Sequence, residues 1–301
     1  MRRGVRFLAN KQGRRYSLGT IPRNTISMDA SKIVTTKVRK TASGAARIVR
    51  NVYGRGEATA KRVRYRLTRP VPAGVPPVWT REMTQFVLLS VFATLFVAVF
   101  DPYFRPFAGP APNVVLQFLR DTTDVAKSGW YIVPAVIVIA IIGLLDWHAL
   151  RHATRRALLN AYGQAAFILA SVAIPGIAIN IVKQIVGRAR PGIAETAGVY
   201  GFSPFEFSHV YQSFPSGHAT TAGSLAVILM LWHPRARMPL LLAMVMLACG
   251  RIPAGAHYPS DVVAGFSIGA ITTLVFARWL ARRRAVFRFN GHRQFPVLIE
   301  K

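Results

Sequence analysis

Three short stretches of the 301-residue chain hold side chains whose types and spacing suit chemistry. The first is "KQIVGRARP", with Lys183 and Arg190. The second is "PSGH", with Ser216, Gly217 and His218. The third is "GRIPAGAHYPSD", with Arg251, His257 and Asp261. Three fixed cations beside the free N–H groups of a helix start make an anion site. Arginines hold phosphate oxygens bidentately. The N–H groups of Ser216 and Gly217 are placed to join them, glycine allowing close backbone approach. Two histidines then divide acid and base work. Asp261 follows His257 by one helical turn, so it is placed to accept the imidazole N–H and stabilise the cation formed on attack. His218 has no carboxylate near it in sequence and is expected to stay protonated, ready to donate.

These stretches lie at the ends of apolar blocks: Met83–Phe100, Gly129–Leu145, Ala157–Val182, His218–Trp232, Met238–Ile252 and Ser260–Leu280. About 20 apolar residues cross the hydrocarbon of a bilayer. Four blocks reach or approach that length, His218–Trp232 does so with its polar entry turn, and Met238–Ile252 is short. A charge at the bilayer centre costs about 2.5–3.5 kcal/mol, which a place at a helix end avoids. Taken alone, Lys183 or Arg188 reads as an interfacial side chain reaching for water. Two histidines and an aspartate beside them do not fit that reading.

The net charge is +28, and its placement sets the orientation. Of the 39 Lys and Arg, 20 precede Phe86, and later clusters sit at 151–156, 235–237 and 278–288. Cytoplasmic flanks carry the excess of Lys and Arg. With six crossings and both termini inside, every cluster falls inside, whereas five crossings leave the basic C-terminal segment outside. The same parity puts all three polar stretches on the opposite face.

Residues 1–82 read as a basic cytoplasmic tail ending in the Pro-rich linker "RPVPAGVPPVW", with Asp29 and Glu57 the only acidic residues before Glu82. High charge and low hydropathy predict little fixed structure. Its expected partner is an anionic membrane surface, in preference to a nucleic-acid arm or a transit peptide. No specific nucleic-acid partner is expected. The single cysteine, Cys249, excludes an internal disulfide.

Lys183 with six residues before Arg190-Pro191, then Pro215-Ser216-Gly217-His218, then Arg251 with five residues before His257 and three before Asp261, resemble the three-part signature of the type 2 phosphatidic acid phosphatase (PAP2) and vanadium haloperoxidase superfamily. The resemblance covers roughly 83–280. It implies an all-α, polytopic six-helix bundle over 83–285, with a short cytoplasmic segment over 286–301. It also implies no metal, no cofactor and a phosphohistidine intermediate. His257 is then the nucleophile, Asp261 its orienter and His218 the acid, then base. Lys183, Arg190, Ser216, Gly217 and Arg251 bind the phosphate. One departure is Gly250, where the family has serine. "FLRDTTDVAKSGW" resembles the outer-surface helix of bacterial members, although Asp121 and Asp124 also suit a solvated face. The expected function is hydrolysis of a lipid phosphate at the outer face of a bacterial inner membrane. The alternatives are a lipid phosphotransferase of the same fold and a non-enzymatic membrane scaffold.

Overall fold

The computed structural model describes residues 47, 49–108, 114–147, 149–291 and 295–299. The expected tail over 1–46 lies outside them. Two compact units divide the chain at Gly54 and Arg55. In the first, residues 47 and 49–54 are helical. The second is mostly helical and contains every element below.

It opens with α1 (55–67), a region read from sequence as tail. Thr59 is buried and donates to the Gly143 carbonyl at 3.1 Å, while the buried Trp147 indole donates to Thr59 Oγ1 at 2.8 Å. The Pro-rich linker is held likewise, because buried Arg278 donates to the carbonyls of Pro77 and Val78. Residues 55–81 therefore have fixed structure, contrary to the composition-based expectation. Their charge suggests disorder, but a few tertiary bonds order them.

α2 (Arg81–Ala98) starts where Thr80 caps Met83 N, and leads into a 3₁₀ turn, Asp101–Ala108. α3 (Val114–Thr122) and a second 3₁₀ turn, Thr123–Ala126, precede α4 (Gly129–Gly143). α5 (His152–Val186) is the longest element, followed by one turn of helix, α6 (Ala194–Ala197). Then come α7 (Gly217–Trp232), α8 (Arg237–Cys249) and α9 (Pro259–Arg282). A two-residue antiparallel pair, β1 (Phe287–Arg288) with β2 (Val297–Leu298), was not anticipated.

Each of the six apolar blocks becomes a helix. Among the described residues, four spans are long and apolar enough to cross a membrane: Arg81–Ala98, Arg120–Gly143, His152–Val186 and Pro259–Arg282. On α2, Leu88, Leu89, Phe92 and Leu95 face outward. Such a face suits hydrocarbon, not water. α7 is buried on nearly all sides and packs against α5, α8 and α9. At 1.5 Å per residue α7 is about 24 Å long and α8 about 20 Å, both short of a hydrocarbon core of about 30 Å. The PSGH stretch lies at the start of α7 and the GRIPAGAHYPSD stretch follows the end of α8.

Two apolar clusters hold the bundle. One joins Phe167 of α5, Leu225 and Ile228 of α7, Leu280 of α9 and Phe287 of β1. The Phe167 and Phe287 rings meet edge-on at 4.8 Å. The other joins Ala126, Ala219, Leu247 and Val262, fixing the turn before α4 against α7, α8 and α9 beside the polar stretches.

Candidate active site

The end of α5 aims the first group of cations. Gly187 takes φ 58° and its N–H closes on the Lys183 carbonyl at 2.9 Å. A Cβ there would fall 1.9 Å from the Ser203 carbonyl oxygen, so only glycine fits. Lys183 is buried and its Nζ donates to the Gln212 carbonyl at 2.6 Å. Arg190 donates to the same carbonyl at 3.3 Å, to His209 at 3.0 Å and to Ala256 at 3.3 Å. Two expected phosphate ligands thus converge on one carbonyl, and Arg190 reaches the residue preceding His257. Burial, with the nearby charge of Arg251, brings Arg190 down to about 10.

At the start of α7, Ser216 is the N-cap: its Oγ accepts from Ala219 N at 3.4 Å. Its own N–H donates to the Asp261 carbonyl at 3.0 Å. This departs from the expectation that Ser216 offers its N–H to an anion. That backbone group instead ties α7 to α9. In the first turn, Gly217 and His218 have no intrahelical acceptor. His218 Nε2 is buried with no hydrogen-bond partner among the described residues.

α9 starts with Pro259 at its first position, where a missing N–H costs nothing. Asp261, fully buried, accepts three hydrogen bonds: Ser213 Oγ at 2.6 Å, Tyr258 N at 2.9 Å and Arg188 Nη1 at 2.7 Å. Its Oδ2 faces His257 Nδ1 at 3.7 Å. That is ion-pair distance, beyond hydrogen-bond reach. His257 is buried, and burial pushes its imidazole down to about 4 against the opposing pull of Asp261. It is neutral at pH 7, as a nucleophile must be. Arg251 donates to Thr123 Oγ1 at 3.2 Å, and burial lowers its guanidinium too. The segment before α4 therefore meets the site through Thr123. Asp124 pairs in solvent with Lys127 at 2.7 Å, the behaviour of a solvated face.

Four residues of the site escape the sequence reading: Arg188, Asp101, Ser213 and Ser260. Arg188, taken alone, suggests an interfacial side chain reaching for water. It is instead buried between two carboxylates, at 2.8 Å from Asp101 Oδ2 and 2.7 Å from Asp261 Oδ1. It also donates to Ser260 Oγ at 2.8 Å and lies over the Tyr258 ring at 4.3 Å. Ser260 N and Oγ both donate to Asp101. The local signal was the left-handed glycine just before Arg188, which turns the chain inward.

Among the described residues no group of three or more His, Cys, Asp and Glu is arranged to hold a metal ion. What converges is cationic: Lys183, Arg190 and Arg251 with two imidazoles, one of them backed by a buried carboxylate. Such a set carries the charge that attracts an anion.

The family profile described as PAP2 superfamily matches residues 164–285. A lipid A 1-phosphatase of Rhizobium johnstonii is 33% identical over 211 residues, 68% of this chain and 84% of the relative. A lipid A 1-phosphatase of Rhizobium etli is 32% identical over 176 residues, 57% of this chain and 75% of the relative. The crystal structure of the first transmembrane PAP2 type phosphatidylglycerolphosphate phosphatase from Bacillus subtilis is 19% identical, covers 65% of this chain and 95% of that one, and aligns with a TM-score of 0.43. The chain belongs to the PAP2 superfamily, in its bacterial membrane lipid-phosphatase branch. It is an integral membrane protein and a phosphoric-ester hydrolase.

Proposed function

We propose that the enzyme hydrolyses a lipid phosphate through a phosphohistidine on His257. The observation that carries this is the neutral, buried His257, with Nδ1 facing Asp261, beside the Lys183–Arg190 pair that meets on the Gln212 carbonyl. Nδ1 keeps its proton toward Asp261, which leaves Nε2 to attack phosphorus. The P–O bond to the lipid breaks, and His218 gives its proton to the leaving oxygen. The bound phosphate supplies the negative charge that favours an imidazolium at His218. His218 then takes a proton from water, whose oxygen attacks phosphorus. The P–N bond breaks and inorganic phosphate leaves. Lys183, Arg190, Arg251 and the Gly217 N–H stabilise charge on the three equatorial oxygens. These cations do the work a metal does elsewhere, so no metal enters the reaction.

The substrate we favour is the 1-phosphate of lipid A, on the likeness to the two Rhizobium enzymes across most of their length. The topology we favour has six crossings and both termini in the cytoplasm, with the site on the periplasmic face. Residues 286–301 then form a short cytoplasmic end, and residues 1–46 meet anionic headgroups. A phosphotransferase of the same fold shares the first half-reaction and differs only in the acceptor.

The test is the purified enzyme in detergent with excess EDTA. It is offered lipid A, phosphatidic acid, phosphatidylglycerophosphate and an isoprenyl pyrophosphate, and released phosphate is measured. Lipid A is expected to give the highest kcat/KM. Preference for another member overturns the substrate. Activity abolished by EDTA and restored by Mg²⁺ overturns the metal-free mechanism.

A further inference from the structure

Asp101 lies outside the three motifs, Arg188 lies within the first but carries none of the roles expected of it, and both are buried. Asp101 is 0% exposed and Arg188 4%. They come from distant parts of the chain, 87 residues apart, and meet at 2.8 Å. Burying charge is costly unless it is paired and bonded. Asp101 is bonded on both oxygens: Oδ1 accepts Ser260 N at 3.1 Å, and Oδ2 accepts Arg188 Nη2 and Ser260 Oγ. Arg188 uses one terminal nitrogen for each carboxylate.

The arrangement has an electrostatic consequence. Arg188 alone against Asp261 would cancel the carboxylate that faces His257. A cation behind Asp261 would then oppose the positive charge that forms on the imidazole when Nε2 bonds to phosphorus. Asp101, on the far side of the guanidinium, offsets that cation. Two carboxylates on one guanidinium leave one net negative charge, directed at His257 through Asp261.

We infer that Asp101 is a positioning residue for the nucleophile: it neutralises Arg188, so that Arg188 can hold Asp261 in place without cancelling its charge toward His257. This rests on His257 being the nucleophile. The other groups facing His257 are cations, Lys183 from α5 and Arg190 from the loop beyond it. The carboxylate side of the balance therefore depends on Asp261 and what stands behind it.

The experiment uses the full chain in detergent and a pulse of ³²P-labelled aryl phosphate, with acid-labile, base-stable label on the protein as readout. The pH dependence of kcat/KM is measured alongside. Asp101→Asn keeps the shape and removes the charge. Label is expected to form about 10- to 100-fold more slowly, less than the roughly 10⁴-fold loss for a triad aspartate itself. KM and inhibition by inorganic phosphate are expected to stay within about threefold, since no phosphate ligand is touched. The acid limb belonging to His257 is expected to move to lower pH, because a negative charge has been taken from its surroundings. Arg188→Gln removes the positive charge and moves the same limb to higher pH, a second reading should Asp101→Asn fold poorly. Ser260→Ala removes the shared hydroxyl without changing charge and leaves the limb at its wild-type position.

Limbs that do not move in these opposite directions overturn the inference. So does a Ser260→Ala shift matching that of Asp101→Asn, which would make the role one of packing. Label absent from the wild-type protein overturns the nucleophile reading and this inference together. Label forming on Asp101→Asn at the wild-type rate overturns this inference alone.

Discussion

Ser216 donates its N–H to the carbonyl of Asp261 at 3.0 Å, and this bond sets the spacing between the two histidines. His218 is two residues beyond Ser216 on α7, and His257 is four residues before Asp261 at α9. The bond forms because Gly265, one turn beyond Asp261 on α9, lets the Ser216 backbone approach. A Cβ on Gly265 would fall 2.3 Å from the Ser216 carbonyl oxygen. Gly265→Val is therefore expected to push α7 from α9 at the site. A displacement of about 1 Å costs on the order of 10²-fold in rate. The check is kcat with melting temperature in detergent. A variant with wild-type kcat would show that this spacing does not set the geometry of catalysis.

The buried His257 gives a signed pH prediction. Its imidazole lies at about 4 in the folded protein, below the 6.5 of a free histidine. Between those values the unfolded chain binds the extra proton. Stability from this group is thus fully present above pH 6.5 and is lost as pH falls toward 4. Wild type is expected to lose more melting temperature between pH 7 and 4 than His257→Gln, which cannot titrate. The acid limb of kcat/KM belonging to the free enzyme is expected near 4. A separate limb near about 6 belongs to the second ionisation of the substrate phosphate. Equal melting losses in the two proteins would contradict the depressed imidazole.

Much of the bundle is readable from the order of residues, and the reason is local. A long block of apolar residues carries its helix signal locally, and each of the six blocks is helical, the two shorter ones, α7 and α8, included. The motif residues are legible because charges at helix ends need a reason. What escapes is long-range. Arg188 sits in a motif beside Arg190, but its partner Asp101 is 87 residues away, and nothing local to either names the other. Charge read residues 55–81 as tail, yet Thr59 and Trp147 order their start across 88 residues. Ser216 has the local look of an anion ligand, and only the packing of α7 on α9 reveals that its N–H is taken.

Arg188 and Lys183 share one nine-residue stretch and one charge, but their partners differ. Lys183 Nζ rests on a neutral carbonyl, whereas Arg188 stands between two buried carboxylates. Removing one partner of a buried ion pair costs about 3–5 kcal/mol. Arg188→Met is therefore expected to lower the melting temperature far more than Lys183→Met. Lys183→Met is expected to cost mainly phosphate affinity, raising KM and weakening inhibition by inorganic phosphate. Thermal unfolding with parallel kinetics of both variants decides it. Similar melting losses in the two would mean that Arg188 is not the structural centre of the network.

Two truncations separate the tail from the folded unit. Removing residues 1–46 is expected to leave turnover in detergent within about threefold while weakening binding to anionic vesicles, at about 1 kcal/mol per basic group near the surface. Removing residues 1–70 also takes away Thr59, which leaves the buried Trp147 N–H without its acceptor. An unsatisfied buried donor costs about 1–3 kcal/mol, so this longer deletion is expected to lower the melting temperature as well. Equal stability of the two truncated proteins would show that α1 is not part of the fold.

The two histidines are expected to fail differently. His257 forms the covalent bond, so His257→Ala is expected to abolish labelling and turnover together. His218 acts twice, on the leaving oxygen and then on water. For a lipid substrate the leaving alkoxide needs a proton, and general acid catalysis is worth about 10²–10⁴-fold. His218→Ala is therefore expected to slow the first step on a lipid substrate by that order. An aryl phosphate has a good leaving group and needs little help, so it is expected still to phosphorylate His257. Without a base to activate water, the intermediate then persists. The measurement is acid-labile, base-stable label retained after an aryl phosphate pulse, followed over time. Retained label in His218→Ala with none in His257→Ala supports the assignment. Label in His257→Ala with none in His218→Ala reverses the roles, and would place the nucleophile on α7, away from the carboxylate at Asp261.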